Sequence, residues 1–311
     1  MKVLITGGAG FIGSHLVDRL AADGVGPILI YDNLFRGRRE NIAHHVGNPR
    51  VTFLEADIRD YDRLVEAMRG VEVVYHLGAQ SNVMGAVTNV DYSFTTNVVG
   101  TYNVLKAARE TGVGRVVFSS SREVYGEPRY LPVDEEHPLG SKNTYGASKV
   151  AGEMYCRVFH NLFGLQTAVL RLANVYGPRD FDRVIPIWLD RTRRGLDLEV
   201  YGGKQVIDFV WIDLVVEALV RASTYDIVGQ PINVASGKGT AILDLAQRIL
   251  QLMDTPSRLA MRPARSAEVV RFTADVTRMR TLLGLEPPDD PLAYLPLMAK
   301  DDQRSAIRTQ P

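Results

Sequence analysis

The sequence predicts an α/β fold, a doubly wound parallel sheet carrying a smaller α/β lobe toward its C-terminal end, and three observations predict it. Short β-branched runs ("KVLIT", "PILIYD", "VTFLEAD", "VEVVYHLGA", "GRVVFSSS" and "QTAVLRLANV") alternate with helical patterns through the first half, which reads as parallel strands joined by crossover helices on both faces. A glycine-spaced turn, "TGGAGFIG", stands between the first run and the first helix. Past Gly177-Pro178 the alternation breaks into loops and short elements, although "GQPINVAS" reads as one further buried strand and "AILDLAQRILQLM" as an amphipathic helix.

With 311 residues the chain stands near the size at which one core stops growing and a second lobe appears. We expect a Rossmann domain over residues 1–176, to which 205–236 returns, and a second lobe from 177–204 and 237–311. The final stretch "AKDDQRSAIRTQP" lacks periodicity and is expected to fray. Lysine plus arginine number 36, as do aspartate plus glutamate, so no overall field draws in nucleic acid or an anionic membrane. One cysteine, Cys156, rules out an intrachain disulfide and a cysteine metal cluster, and no metal is expected. The opening "MKVLITGGAG" enters a strand without a signal-peptide pattern, and no apolar run is long enough to span a bilayer. A cytoplasmic protein is expected.

Gly7, Gly10 and Gly13, at three-residue spacing, permit a tight turn and close approach of a pyrophosphate, which then sits on the positive end of the first helix. That helix, "SHLVDRLAADG", puts Leu16, Val17 and Leu20 on one face and stops at a glycine. The second strand closes in "LIYDN", so Asp32 falls about twenty residues after the glycines, where a carboxylate accepts from adenosine ribose hydroxyls. This favours NAD over NADP, while Arg36, Arg38 and Arg39 just beyond could hold a 2′-phosphate or form a solvated loop. Asp57 ends the third strand, facing the dinucleotide or capping the next helix.

In "NTYGASKVAGE", Tyr145 and Lys149 lie four residues apart, on one helical face. A nearby ammonium and a helix N-terminal dipole both stabilise a phenolate, so this tyrosine is expected to approach a pKa suited to proton transfer near neutrality. The hydroxyl cluster Ser119 to Ser121 ends the fifth strand, at the edge of the crevice where open α/β sheets bind ligands. His76 reads as a structural histidine, and Trp188 and Trp211 as core aromatics.

Together, Gly7-Gly10-Gly13, "NVVGT" with Asn97, the "SSS" cluster and Tyr145-x-x-x-Lys149 resemble the extended short-chain dehydrogenase/reductases, in their nucleotide-sugar epimerase and dehydratase branch. "HLGAQSNV", "LRLANVYGPR", "VIPIW" and "DFVWIDLVVEA" extend the likeness through most of the chain. The resemblance implies NAD as cofactor and a nucleotide sugar, a UDP-sugar in the first instance, as substrate. It implies that Ser121 bonds the reacting sugar hydroxyl, Tyr145 takes its proton, and Lys149 holds the nicotinamide ribose, with Glu123 as a fourth catalytic position. Gly7, Gly10, Phe11, Ile12, Asp32, Asn33, Asp57, Ile58, Leu77, Ala79, Gln80 and Asn97 are implied to serve the cofactor alongside Tyr145 and Lys149. Ser120, Ser121, Arg122, Asn174, Arg183, Tyr201 and Arg265 are implied to serve the substrate, Asn174 and Arg265 at its diphosphate.

Two positions depart from the family pattern. Ile207 stands before Asp-Phe where an arginine commonly grips phosphate, leaving Lys204, Arg179 or Arg183 as replacements, and Ser266-Ala267 replaces a Pro-Gly. Relatives that dehydrate carry an acid in the slot of Arg122, and an arginine keeps its proton. Glu123 matches a glutamate of dehydratases and decarboxylases, or else pairs with Arg122. The expected function is a nucleotide-sugar 4-epimerase, acting on a UDP-hexose such as UDP-glucose or UDP-galactose, or on UDP-glucuronate, by transient C4 oxidation and hydride return. A UDP-glucuronate decarboxylase or a 4,6-dehydratase is the alternative, and a non-catalytic NAD-binding sensor the alternative of another class. Relatives dimerise through helices matching 97–109 and 147–163, which implies a homodimer through Leu105, Ala151, Met154 and Val158.

Overall fold

The computed structural model describes residues 1–300; of the stretch expected to fray, Ala299 and Lys300 instead close a helix, and 301–311 lies outside the described residues. β1 (Val3–Thr6) is wholly buried and leads into α1 (Phe11–Ala22), whose Leu16, Val17 and Leu20 face the core. β2 (Ile28–Asp32), β3 (Val51–Glu55), α2 (Tyr61–Met68) and β4 (Val73–His76) continue the alternation. A long helical stretch follows as α3 (Val83–Thr88), α4 (Val90–Phe94), a π turn over Thr95–Val99 and α5 (Gly100–Glu110). β5 (Arg115–Ser121), α6 (Thr144–Phe163) and β6 (Gln166–Leu172) complete the regular half. Beyond it come β7 (Asn174–Tyr176), α7 (Val184–Arg193), β8 (Leu198–Tyr201), β9 (Val206–Trp211), α8 (Ile212–Ala222) and β10 (Pro231–Val234). The remainder is β11 (Gly239–Ala241), α9 (Ile242–Met253), β12 (Leu259–Arg262), α10 (Thr277–Leu283) and α11 (Leu295–Lys300). No helix among the described residues is long and apolar enough to cross a membrane.

Seven strands form one parallel sheet in the order β10-β6-β5-β4-β1-β2-β3. The chain winds outward from β1 to β3, then outward the other way from β4, so the strand order reverses between β1 and β4. Their carboxyl ends open the crevice in which such sheets bind ligands.

The segment 205–236, expected to return whole to the main sheet, divides. α8 packs on α1 and β10 joins the edge beside β6, whereas β9 pairs with β7 and β11 in a separate three-stranded sheet. "QTAVLRLANV", expected as one strand, likewise breaks at Ala173 between the two sheets. Asp208 supplies the reason for β9. Its buried carboxylate accepts from Ser236 N (2.8 Å), Ser236 Oγ (2.6 Å), Gly237 N (3.1 Å) and Ala274 N (3.1 Å). A buried carboxylate requires such donors, and the loops around the small sheet provide them. The segment carrying Ala274 also pairs with two distant places, Val206 with Arg271 and Val133 with Ala274.

Candidate active site

The turn after β1 is shaped by glycines that no other residue could replace. Gly7 has φ +72°, and a Cβ there would lie 2.8 Å from Gly78 N; on Gly13 a Cβ would lie 2.2 Å from Gly7 O. The backbone is therefore packed down, leaving an open cradle at the N-terminus of α1 that fits a pyrophosphate. Gly7, Gly10, Phe11, Ile12, Asp32, Asn33, Ile58, Leu77 and Ala79 all line one cavity of about 540 Å³.

Asp32 is fixed by two backbone donors, Ala9 N (3.0 Å) and Leu34 N (2.8 Å). Burial raises its pKa above the ordinary value, and those two hydrogen bonds oppose the rise. The three arginines after β2 are engaged elsewhere: Arg36 with Asp182, Arg38 over the Phe181 ring, Arg39 with Glu55. With the Asp32 carboxylate on the cavity wall and these three arginines engaged, the site fits NAD rather than its phosphorylated form.

β5 and α6 bring the chemistry together. Asn143 caps α6 by accepting from Gly146 N at 2.8 Å, which fixes the turn carrying Tyr145. Tyr145, Lys149 and Ser121 all line the cavity, and the Ser121 hydroxyl is close enough to the Tyr145 phenol to lower its pKa. Lys149 Nζ donates to Ser119 O at 2.6 Å and lies 5.8 Å from the Tyr145 ring centre. Burial brings the Lys149 ammonium down to about 8.

The expectation of a phenol tuned toward neutrality is corrected in the chain by itself. Burial raises the Tyr145 pKa; Arg183, then Ser121 and Arg36, pull it down, and Glu123 adds to the rise. Lys149 is directed at a backbone carbonyl, so desolvation outweighs the opposing charges.

On the substrate side, Arg122, Asn174, Arg183, Tyr201 and Arg265 line the same cavity. Arg122 Nε donates to Asn174 Oδ1 (2.7 Å) and Nη2 pairs with Glu123 Oε1 (2.9 Å); Glu123 Oε2 accepts from Asn143 Nδ2 (2.7 Å). Arg265 pairs with Glu268 and lies 3.6 Å over the Tyr201 ring. Arg183 pairs with Asp180. Of the replacements considered for the phosphate grip lost at Ile207, Lys204 is exposed and off the wall, and Arg179 reaches away to Asp18.

Four expected site residues stand differently. Ser120 lines the cavity, but its hydroxyl is turned into the core, donating to Glu153 at 2.5 Å, because side chains alternate along β5 and Ser120 faces opposite to Ser121. Glu153 is in turn bound by the buried Arg171. Asn97 and Gln80 sit behind the wall rather than on it: Asn97 Oδ1 accepts from Gln80 N (2.7 Å), Asn97 Nδ2 donates to Gln80 O (3.0 Å), and both are buried. They brace the loop carrying Leu77 and Ala79. Asp57 is off the wall too, held by Arg59 and by Asn33 Nδ2 at 2.8 Å, and the cap of α2 is Asp60. His76 is sealed between Thr6 Oγ1 (2.7 Å) and Thr101 Oγ1 (2.9 Å), its pKa lowered by burial to about 3. Sequence reasoning missed Asp180, Phe181 and Asp182, whose acidic residues in "GPRDFDRV" were the available signal.

Comparison with known proteins agrees with this geometry. The model of the NAD dependent epimerase/dehydratase family matches residues 3–235. A UDP-glucose 4-epimerase of Mycolicibacterium smegmatis is 38% identical over 294 residues, covering 92% of this chain and 94% of its own. UDP-glucuronic acid decarboxylase 2 of Arabidopsis thaliana is 34% identical over 319 aligned positions, covering 100% of this chain and 70% of its own. The solved UDP-glucose 4-epimerase of Thermotoga maritima with UDP-glucose superposes with a TM-score of 0.91 at 33% identity, over 96% of this chain and 97% of that one. With its glycine cradle, its Asp32 and its Ser121, Tyr145 and Lys149 in one cavity, this chain belongs to the NAD-dependent epimerase/dehydratase family.

Proposed function

We propose that this chain is an NAD-dependent UDP-sugar 4-epimerase, an isomerase that inverts one sugar carbon by oxidising and re-reducing it. One observation carries the reading: the Ser121 hydroxyl, the Tyr145 phenol and Lys149 meet in the cavity that also contains the dinucleotide cradle. What bound NAD supplies is a hydride acceptor that gives the hydride back within one turnover. The residues then divide the remaining work. Ser121 hydrogen-bonds the reacting hydroxyl, and Tyr145, on the wall of the same cavity, receives its proton and later returns it. Arg183, the strongest influence lowering the Tyr145 pKa, stabilises the phenolate. Lys149, anchored on Ser119 O, is placed to hold the nicotinamide ribose.

Leu77, Ala79 and Ile58 flank the cofactor in this reading, and Asn174, Tyr201 and Arg265 hold the diphosphate. The sugar lies between a cofactor lobe built on the seven-stranded sheet and a substrate lobe built on the two small sheets. Leu105, expected at a dimer surface, is instead sealed in the core, and Ala151 and Met154 are half-buried; exposed Val158, with Tyr102 on α5 and Tyr155 and Leu162 on α6, supports a homodimer through these helices. The buried Cys156 suits a reducing cytoplasm.

A decarboxylase or dehydratase would use Glu123 as a base. Here both Glu123 oxygens are tied, to Arg122 and Asn143, which favours epimerisation. Incubating the purified protein with UDP-glucose, UDP-galactose and UDP-glucuronate without added cofactor, then separating the products, tests the reading. The expected result is the C4 epimer of at least one; a 4-keto-6-deoxy sugar or a pentose would replace it with the alternative.

A further inference from the structure

Arg122 is incompletely matched by the protein around it. Its Nε and Nη2 are bound by Asn174 and Glu123, its plane lies 5.5 Å from the Phe272 ring centre, and its Nη1 is enclosed without a hydrogen-bond partner. A buried guanidinium nitrogen with no acceptor costs stability, and enclosure keeps bulk water from satisfying it. Arg122 adjoins Ser121 in the chain, which puts this cation at the reacting end of the cavity. The other arginines of that wall have acidic partners as well, Arg36 with Asp182, Arg183 with Asp180, Arg191 with Glu199 and Arg265 with Glu268, but none of them has a fully buried nitrogen without a partner.

The groups beside Arg122 are arranged as donors. Asn174 gives its carbonyl oxygen to Nε, which leaves its amide Nδ2 to donate. Glu123 has both oxygens occupied and serves to hold the guanidinium in place. A hydroxymethyl group brings one donor with its acceptor sites and requires no cation. A carboxylate brings acceptors only and matches the planar fork of an arginine.

Building on the 4-epimerase reading, we infer that the sugar this site prefers is a hexuronate, whose C6 carboxylate is received by Arg122 and Asn174 as the guanidinium turns Nη1 toward it. Arg122 is then the specificity-determining residue, and its presence in the slot where dehydrating relatives carry an acid selects for charge at C6.

Calorimetric titration of the NAD-loaded protein with UDP-glucuronate and with UDP-glucose tests this. Wild type is expected to bind UDP-glucuronate about 30-fold more tightly. Arg122→Gln should bring the ratio of the two affinities near one, and Arg122→Lys should keep part of it; a merely structural role would move both ligands alike. Equal or weaker binding of UDP-glucuronate by wild type overturns the inference, whatever the variants do. Product analysis separates its failure from that of the parent reading. Epimerised UDP-glucose without preference for the uronate sinks the hexuronate inference and leaves the 4-epimerase standing. Release of carbon dioxide with a UDP-pentose keeps the carboxylate subsite and removes the 4-epimerase.

Discussion

Arg36 and Asp182, 146 residues apart in the chain, form a 2.5 Å ion pair across the mouth of the cofactor cradle. Asn82 donates to the same carboxylate oxygen at 2.9 Å, and Arg38 lies 4.0 Å over the neighbouring Phe181 ring. Three loops are thereby fastened to one another on the wall of the cavity. We expect the wild-type protein to retain NAD near its own molarity through gel filtration. Asp182→Ala should speed dinucleotide loss by about tenfold, the effect of one charge-assisted hydrogen bond. Unchanged retention would make the fastening incidental, and recovery of NADP alone would contradict the role of Asp32.

Tyr145→Phe should lower turnover at least ~10²-fold while nucleotide-sugar binding stays nearly intact, because general acid–base catalysis typically supplies 10² to 10⁴. Steady-state kinetics beside direct titration separates the two. A variant with normal turnover removes this phenol from the mechanism.

Burial brings Lys149 from 10.5 down to about 8, so on raising pH the folded chain sheds this proton before the unfolded chain does. The ionised ammonium therefore opposes folding at neutral pH by about 3 kcal/mol, and the opposition fades as pH rises from about 8 toward 10.5. Lys149→Met should be more thermostable than wild type at pH 7 in the cofactor-free protein, with the gap closing at higher pH, and should be nearly inactive. Melting curves across that range check the sign; a variant less stable at every pH would refute it.

Asp208→Asn replaces an acceptor of four hydrogen bonds by a group that must point an amide N–H₂ at donors. A loss of about 3 kcal/mol is expected, from buried N–H groups left unpaired, measurable by denaturant unfolding. Stability within 0.5 kcal/mol of wild type, as surface changes usually give, would show the cluster to be slack.

Glu123→Gln keeps the shape of the Asn143 and Arg122 contacts but removes the charge. The variant should retain measurable 4-epimerase activity, about tenfold reduced, or ~1.4 kcal/mol. Complete loss would mean that Glu123 handles a proton, as elimination and decarboxylation would require.

The features legible in the sequence were those whose parts lie close together along it. The Gly7-to-Gly13 turn, Asp32 at the next strand end and the Tyr145-to-Lys149 spacing each fit within one βα unit, so local periodicity placed them. Ser120 was also readable, since alternation along β5 must turn it away from Ser121. Other features depend on contacts between remote segments. The Arg36–Asp182 fastening, the diversion of β9 by Asp208 and the pairing of Glu123 with Asn143 bring together loops that no spacing rule relates. The Tyr145 pKa departs from the sequence expectation because the helix position of Lys149 does not reveal that its Nζ finds Ser119 O.

The pairing of Val133 with Ala274, and of Val206 with Arg271, has a consequence for how the molecule comes into being. During synthesis the glycine turn and Asp32 emerge early, but α8, which packs on α1, follows only at 212–222. The substrate wall waits longer still. Asn143 Nδ2 waits for Ala267 O, and Asp208 waits for Ala274 N. The dinucleotide side of the cavity is therefore made before its sugar side, and a chain ending short of this late segment would lack the donors that Asn143 and Asp208 hold.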